Sequence, residues 1–157
     1  MSASEKTDKI QSLLAKEGID AKILVFSQST KTSQDAANQA HCLLGQIAKS
    51  IIFKAGDEPV LAIMSGSNRV STRKIEQLIG IKPEKADAQF VLGKTGFPIG
   101  GVPAFGHDTL IKFIFMDQDL MQYKTIWSAA GTPHAIFEIT PQNLMRMSNA
   151  QIADIKE

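Results

Sequence analysis

The chain has 157 residues, 43% of them hydrophobic and 21% charged, with a net charge of +1. Such a length fits one domain, residues 1–157, with a core of its own. The near-neutral charge gives no support for wrapping duplex DNA by bulk electrostatics, and a single cysteine, Cys42, excludes an internal disulfide framework and a cysteine-rich zinc site.

The N-terminus MSASEKTDKI lacks the apolar segment of a secretory leader. No run of about 18 apolar residues occurs, so no membrane partner is expected. Together with the lone cysteine, this makes the cytoplasm the expected location. Residues 4–17 read as a first helix, with Ile10, Leu13 and Leu14 as its apolar stripe and Gly18 as its stop. AKILVF (21–26) reads as a strand. Thr32 followed by Asp35 resembles a capping box opening a second helix, in which Ala36, Ala37, Ala40, Leu43 and Leu44 fall at helical spacing up to Gly45. QIAKSIIFKAG (46–56) and PVLAIMS (59–65) read as two strands on a short connection, hence an antiparallel pair. Ser71 caps a third helix that stops at Gly80, and Asp87 caps a short one through Leu92. GKTGFPIGGVPAFGHD (93–108) is irregular, with five glycines and two prolines in sixteen residues. LIKFIFMD (110–117), TIWSAA and HAIFEI read as strands, and Asp119 opens a short helix through Tyr123. Thr140-Pro141 starts a last helix, with proline at its first position. This order predicts an α+β (mixed α/β) domain. Its sheet is mixed and largely antiparallel, surrounded by helices, rather than doubly wound and parallel.

Strand alternation singles out one residue. If 46–56 is a strand, Ile47, Lys49, Ile51 and Phe53 share a face, so Lys49 lies in the most apolar row of the stretch. Either its stem snorkels to water, or its ammonium lies at the floor of a pocket. Gly100-Gly101 removes two side chains, so that backbone N–H groups can approach a ligand. His107 and His134 border turns, where each is either bonded to backbone or able to carry a proton near neutral pH. Three dispersed histidines do not form a zinc site. Cys42 follows His41, but adjacent helical residues diverge, so Cys42 reads as a small buried residue rather than a nucleophile. Asn68 and Arg69 lie in a polar loop, SGSNRVS, able to touch a ligand or simply to turn.

Four stretches, in order, resemble the YbaK/ProX family of prolyl-tRNA synthetase-associated editing domains: QIAKSIIF (46–53), PVLAIMSGSNRVSTRKIEQLIG (59–80), TGFPIGGVPAFGH (95–107) and AGTPHAIFEITPQNL (130–144). The resemblance implies a barrel-like sheet and hydrolysis of mischarged aminoacyl-tRNA, with tRNA(Pro) carrying alanine, serine, threonine or cysteine as the expected substrate. It implies that Lys49 points into the aminoacyl pocket and that Gly100 and Gly101 line it. Thr32, Asn68, Arg69, Val102, His107 and His134 are the expected substrate contacts. It implies substrate-assisted chemistry, driven by a ribose hydroxyl or a cysteinyl thiol, with no metal or cofactor. The expected partners are the tRNA acceptor end and an aminoacyl-tRNA synthetase, with no DNA. The chain departs from the family at Ala104, where many members have proline. It also has Ile136 and Phe26 where the cysteine-releasing members have aspartate and tyrosine. A non-catalytic module binding an amino acid or acceptor end is the alternative within this fold. An unrelated esterase using His107 or His134 as base is the alternative outside it.

Overall fold

The computed structural model describes residues 1–157. In chain order the helices are α1 (Ala3–Lys16), α2 (Ser33–Ala40), α3 (Thr72–Ile79), α4 (Ala88–Thr95) and α5 (Pro141–Ser148). The strands are β1 (Ile23–Val25), β2 (Ile47–Ala55), β3 (Glu58–Ser65), β4 (Glu84–Lys85), β5 (Phe113–Asp117), β6 (Ile126–Ala129), β7 (Ala135–Ile139) and β8 (Gln151–Ala153). No helix is long and apolar enough to cross a membrane.

Every helix opens on a side-chain cap. Ser2, Thr32, Ser71, Asp87 and Thr140 accept from the backbone N–H of Glu5, Asp35, Lys74, Phe90 and Asn143. Such caps contribute about 1 kcal/mol each, which helps helices of only eight residues to hold their ends. α2 is shorter than the apolar spacing predicts. It ends at Ala40 because His41 adopts a left-handed conformation (φ +55°). This turns the chain so that Leu44 packs beside Ala36, Ala37 and Ile47, while Leu43 is left exposed.

The sheet runs β1-β7-β6-β2-β3-β5-β8, with β4 attached to β2. The pairs β1–β7, β6–β7, β2–β3 and β2–β4 are antiparallel, and β2–β6, β3–β5 and β5–β8 are parallel. The predicted mixed sheet is present, but it is open rather than a barrel: β1 and β8 are its two ends and do not pair.

Helices cover both faces. Ile10 and Leu14 of α1, Val91 of α4 and Leu144 of α5 pack in the larger core with Ala48, Ile52, Phe137, Val102 and Phe105. On the opposite face, α2 packs Ala36 and Ala37 against Ile47 and Ile136, and α3 packs Ile75 against Val60, Ala62 and Met64. The row of β2 that holds Lys49 therefore faces the two smaller clusters. The row that looks more polar in the sequence, with Ala48 and Ile52, faces the main core.

Candidate functional site at a gap in the sheet

β2 is paired with β3 from Ala48 to Ala55 along one edge. On its other edge it pairs with β6 only at Ile47 and Ala48, and with β4 only at Phe53 and Lys54. Residues 49–52 between them have no strand beside them on that side. Main-chain N–H and C=O groups are obligatory hydrogen-bonding groups, so an open edge in the middle of a sheet offers them to a ligand.

A cavity of about 410 Å³ occupies this gap. Its wall combines the exposed stretch of β2 with Thr30, Thr32 and Ala36 around the start of α2, Gly100 and Val102 of the glycine loop, and Trp127 and Ser128 of β6. The cavity therefore reaches both faces of the sheet. It is predominantly apolar, with a few polar groups, as ligand sites generally are.

Lys49 lies in this wall and is half-buried. Its ammonium is in none of the ion pairs of the protein. Burial holds its pKa below the ordinary lysine value, the positive charge of Arg69 adds to this, and Asp117 opposes it. Asp117 is fully buried and already engaged: its carboxylate accepts from the Ser65 N–H at 3.2 Å, the Asn68 amide at 2.8 Å and the Asp119 N–H at 2.9 Å. Its side chain thus caps the turn that follows β5, as its position at a strand end suggests.

The glycine pair divides its roles. Gly100 lines the cavity with φ +88°, a backbone region that favours glycine, and a Cβ there would meet the Lys31 side chain. Gly101 lies against the backbone of Thr132, and its Cβ would come within 2.7 Å of Thr132 Cα. Gly101 thus lets two main chains approach, while Gly100 presents its backbone to the cavity. Thr32 both caps α2 and lines the wall, and Val102 lines it too.

The remaining expected contacts lie elsewhere. Asn68 bonds Asp117 and Asp119, at 2.8 and 2.9 Å, and does not line the cavity. Arg69 is exposed and acts on Lys49 only through its charge. His107 lines a second cavity, with Phe105, Ile111 and Met147. Its Nε2–H donates to the Pro103 carbonyl at 2.7 Å, and burial lowers its pKa. His134 is exposed and outside both cavities. Cys42 is also outside them, and burial raises the pKa of its thiol. No three His, Cys, Asp or Glu side chains come together at metal-binding spacing.

Several wall residues escaped the sequence reading: Thr30, Lys31, Ser50, Trp127 and Ser128. Only Ser50 carried a usable signal, as a second polar residue inside an apolar strand, next to Lys49.

Comparison with known proteins places the chain among relatives of similar sequence and fold. The chain is 32% identical over 130 residues to the uncharacterized protein YwhH of Bacillus subtilis (strain 168), covering 81% of each. It is 27% identical over 105 residues to the proline–tRNA ligase of Thermosipho africanus (strain TCF52B), where the match spans 66% of this chain but only 17% of the ligase. Among solved structures, one described provisionally as a trans-editing enzyme for prolyl tRNA synthetase superposes with a TM-score of 0.91 at 37% identity, over 99% of both chains. The hypothetical protein APE2540 superposes with a TM-score of 0.86 at 25% identity, over 95% of this chain and 99% of that one. The sequence pattern of the aminoacyl-tRNA editing domain matches residues 27–147, a span that holds the gap in β2, Lys49 and the glycine loop. With four-fifths of its length shared with YwhH as well, the chain belongs to the aminoacyl-tRNA editing domain family.

Proposed function

We propose that this protein is a freestanding hydrolase that removes a wrongly attached small amino acid from tRNA, with tRNA(Pro) as the leading substrate. The observation that carries this reading is an unpaired, half-buried ammonium, Lys49, in the wall of an apolar cavity that Gly100 also lines. A cation without a protein partner in such a place is suited to an anionic or carbonyl oxygen of a ligand.

In the reaction, water adds to the carbonyl carbon of the aminoacyl ester. The bond from that carbon to the ribose oxygen then breaks, giving a free amino acid and a free 3′-terminal hydroxyl. Lys49 and the backbone at Gly100 hold the carbonyl oxygen as its negative charge develops. The open edge of β2 at residues 49–52 supplies main-chain partners for the aminoacyl group. No side-chain nucleophile with a base beside it lines the cavity, which favours a ribose hydroxyl of the substrate as the group that assists the water. Only the single-stranded acceptor end needs to enter, so a net charge of +1 suffices. A synthetase partner and a cytoplasmic setting accompany this reading.

Hydrolysis of tRNA(Pro) carrying alanine, serine, threonine or cysteine tests it, with Lys49→Ala run beside the wild type. Turnover of at least one ester, lost in the variant, supports the deacylase. Tight binding of acylated tRNA without turnover would instead favour a binding module of the same fold. Hydrolysis of simple esters that is insensitive to Lys49→Ala would point to an unrelated esterase.

A further inference from the structure

Three buried side-chain polar atoms in this protein have no hydrogen-bond partner: Thr30 Oγ1, Ser50 Oγ and Ser128 Oγ. All three belong to residues that line the cavity in the gap of the sheet. Thr30 is 5% exposed and Ser128 is 1% exposed. Elsewhere, the buried hydroxyls of Ser65 and Thr95 are bonded to carbonyls at 2.7 Å. An unpaired buried hydroxyl is costly, and three around one cavity mark the place where a ligand supplies the partner.

Their placement narrows the ligand. Ser128 is the register partner of Ala48 on the adjacent strand, and Ser50 is two residues beyond Ala48, so both hydroxyls lie on the same face of the sheet. That is the face of the main core, opposite the face of Lys49. The cavity in the gap is lined by Lys49 from one face and by Ser50 and Ser128 from the other, so a ligand held near Lys49 has a path to both hydroxyls. A methyl group there would leave the hydroxyls unpaired, and a thiol pairs only weakly. A hydroxyl both donates and accepts, and satisfies them.

We propose that Ser50, Ser128 and Thr30 form the specificity wall of this site and select an aminoacyl group with a side-chain hydroxyl, serine or threonine, over alanine or cysteine. The proposal rests on the deacylase reading above. Sites built to pair a substrate hydroxyl discriminate against analogues that lack it far better than apolar pockets discriminate by size.

The test compares single-turnover hydrolysis of seryl-, threonyl-, alanyl- and cysteinyl-tRNA(Pro) by the wild type, Ser50→Ala and Ser128→Ala, with thermal melting of each protein. The expected wild-type preference for the hydroxyl-bearing esters is at least about tenfold. Each variant should lose most of that preference. Because each removes an unpaired hydroxyl, neither should melt below the wild type. Faster hydrolysis of the alanyl or cysteinyl ester would overturn the proposal. So would a preference that survives both substitutions, or an equal loss on every ester, which would assign the hydroxyls to the α-amino group. If no ester is hydrolysed, the deacylase reading fails by itself. Binding of amide-linked 3′-seryl- and 3′-alanyl-aminoadenosine then decides this proposal: tighter seryl binding that weakens in Ser50→Ala upholds it, and equal binding overturns it.

Discussion

Lys49 and Asp117 stand on the same face of the sheet two strands apart, yet the carboxylate does not neutralise the ammonium. Lys49 pairs with Met64 of β3, and Asp117 follows Met116, the partner of Ile63. Three donors already occupy Asp117, from Ser65, Asn68 and Asp119. The protein therefore bears the desolvation of Lys49 without an ion pair to offset it, as expected of a charge retained for a ligand. Lys49→Met keeps the stem and removes the charge. It should melt at or above the wild-type temperature while deacylation falls by at least about 10²-fold, the usual cost of losing one oxyanion donor. A variant that melts lower and keeps its activity would show that the lysine serves packing alone.

The same desolvation sets a pH dependence. The folded pKa of Lys49 lies below the ordinary value of 10.5. If the ammonium is the working form, activity falls as pH rises through that lowered value, ahead of the titration of free lysine. Stability runs the other way. Between the folded and unfolded values the unfolded chain binds the extra proton, so the penalty of burying the charge fades as pH rises. A pH–rate profile of deacylation beside pH-dependent melting separates the two. A rate that rises with pH through this window beyond the background hydrolysis of the ester would make the neutral amine a base instead.

Asp117 should carry stability rather than chemistry. Asp117→Ala leaves the Ser65 and Asp119 N–H groups without their acceptor, while the Asn68 amide keeps only its bond to Asp119. With a penalty of about 1–3 kcal/mol for an unsatisfied buried group, a total loss of about 3 kcal/mol is expected in denaturant unfolding. Asp117 also favours the charged form of Lys49, so the alkaline limb of activity should move to still lower pH. An unchanged limb in a folded variant would mean that the two groups are not coupled across the sheet.

The two glycines of the loop should respond differently to a methyl group. At Gly101 the new Cβ meets the Thr132 backbone, which cannot rotate away. Overpacking of this kind costs about 2 kcal/mol, which lowers the melting temperature by roughly 4–8 °C in a chain of this size. At Gly100 the obstacle is the Lys31 side chain, which is flexible, plus the strain of a positive φ. Gly100→Ala should therefore be partly relieved by adding Lys31→Ala, whereas Gly101→Ala should not. Equal behaviour of the two double variants would contradict this division of roles.

The sequence pattern shows these features unevenly, for physical reasons. Lys49 was legible because β2 is long enough, at nine residues, for alternation to expose a misplaced charge. Alternation alone does not tell which row faces the main core, since nearby sequence does not show which helices cover which face. β4, with two residues, and β8, with three, are too short to leave any periodic signal. Their consequences are large: the short β4 and the two-residue contact with β6 are what leave the middle of β2 open. The end of α2 at His41 was hidden because apolar residues continue at helical spacing beyond it. Ser50, Ser128 and Thr30 are ordinary residues in any linear reading, and only their shared lack of partners in three dimensions distinguishes them.

His107 illustrates a polar residue whose work is structural. It is held neutral in a mostly buried position, edge-on to Phe97 with ring centroids 6.5 Å apart, and its Nε2–H donates to the Pro103 carbonyl. Burial lowers its pKa from 6.5, and the nearby Lys9 charge adds to this, while the Pro103 bond and Asp108 oppose it. The unfolded chain therefore takes up the proton first as pH falls. The stabilising effect of the neutral ring is fully present above about 6.5 and is lost as pH falls through the lower folded value. Wild-type melting should accordingly decline below pH 6.5 by more than that of His107→Gln, which cannot titrate but retains a donor for Pro103. The variant should melt lower than the wild type at pH 7.5, and the gap should narrow by pH 5. Parallel melting curves across this range would mean that His107 is not held neutral by the fold. Because the ring lies outside the cavity of Lys49, deacylation at pH 7.5 should stay within about twofold of wild type, well below the 10²–10⁴-fold effect of a general acid or base.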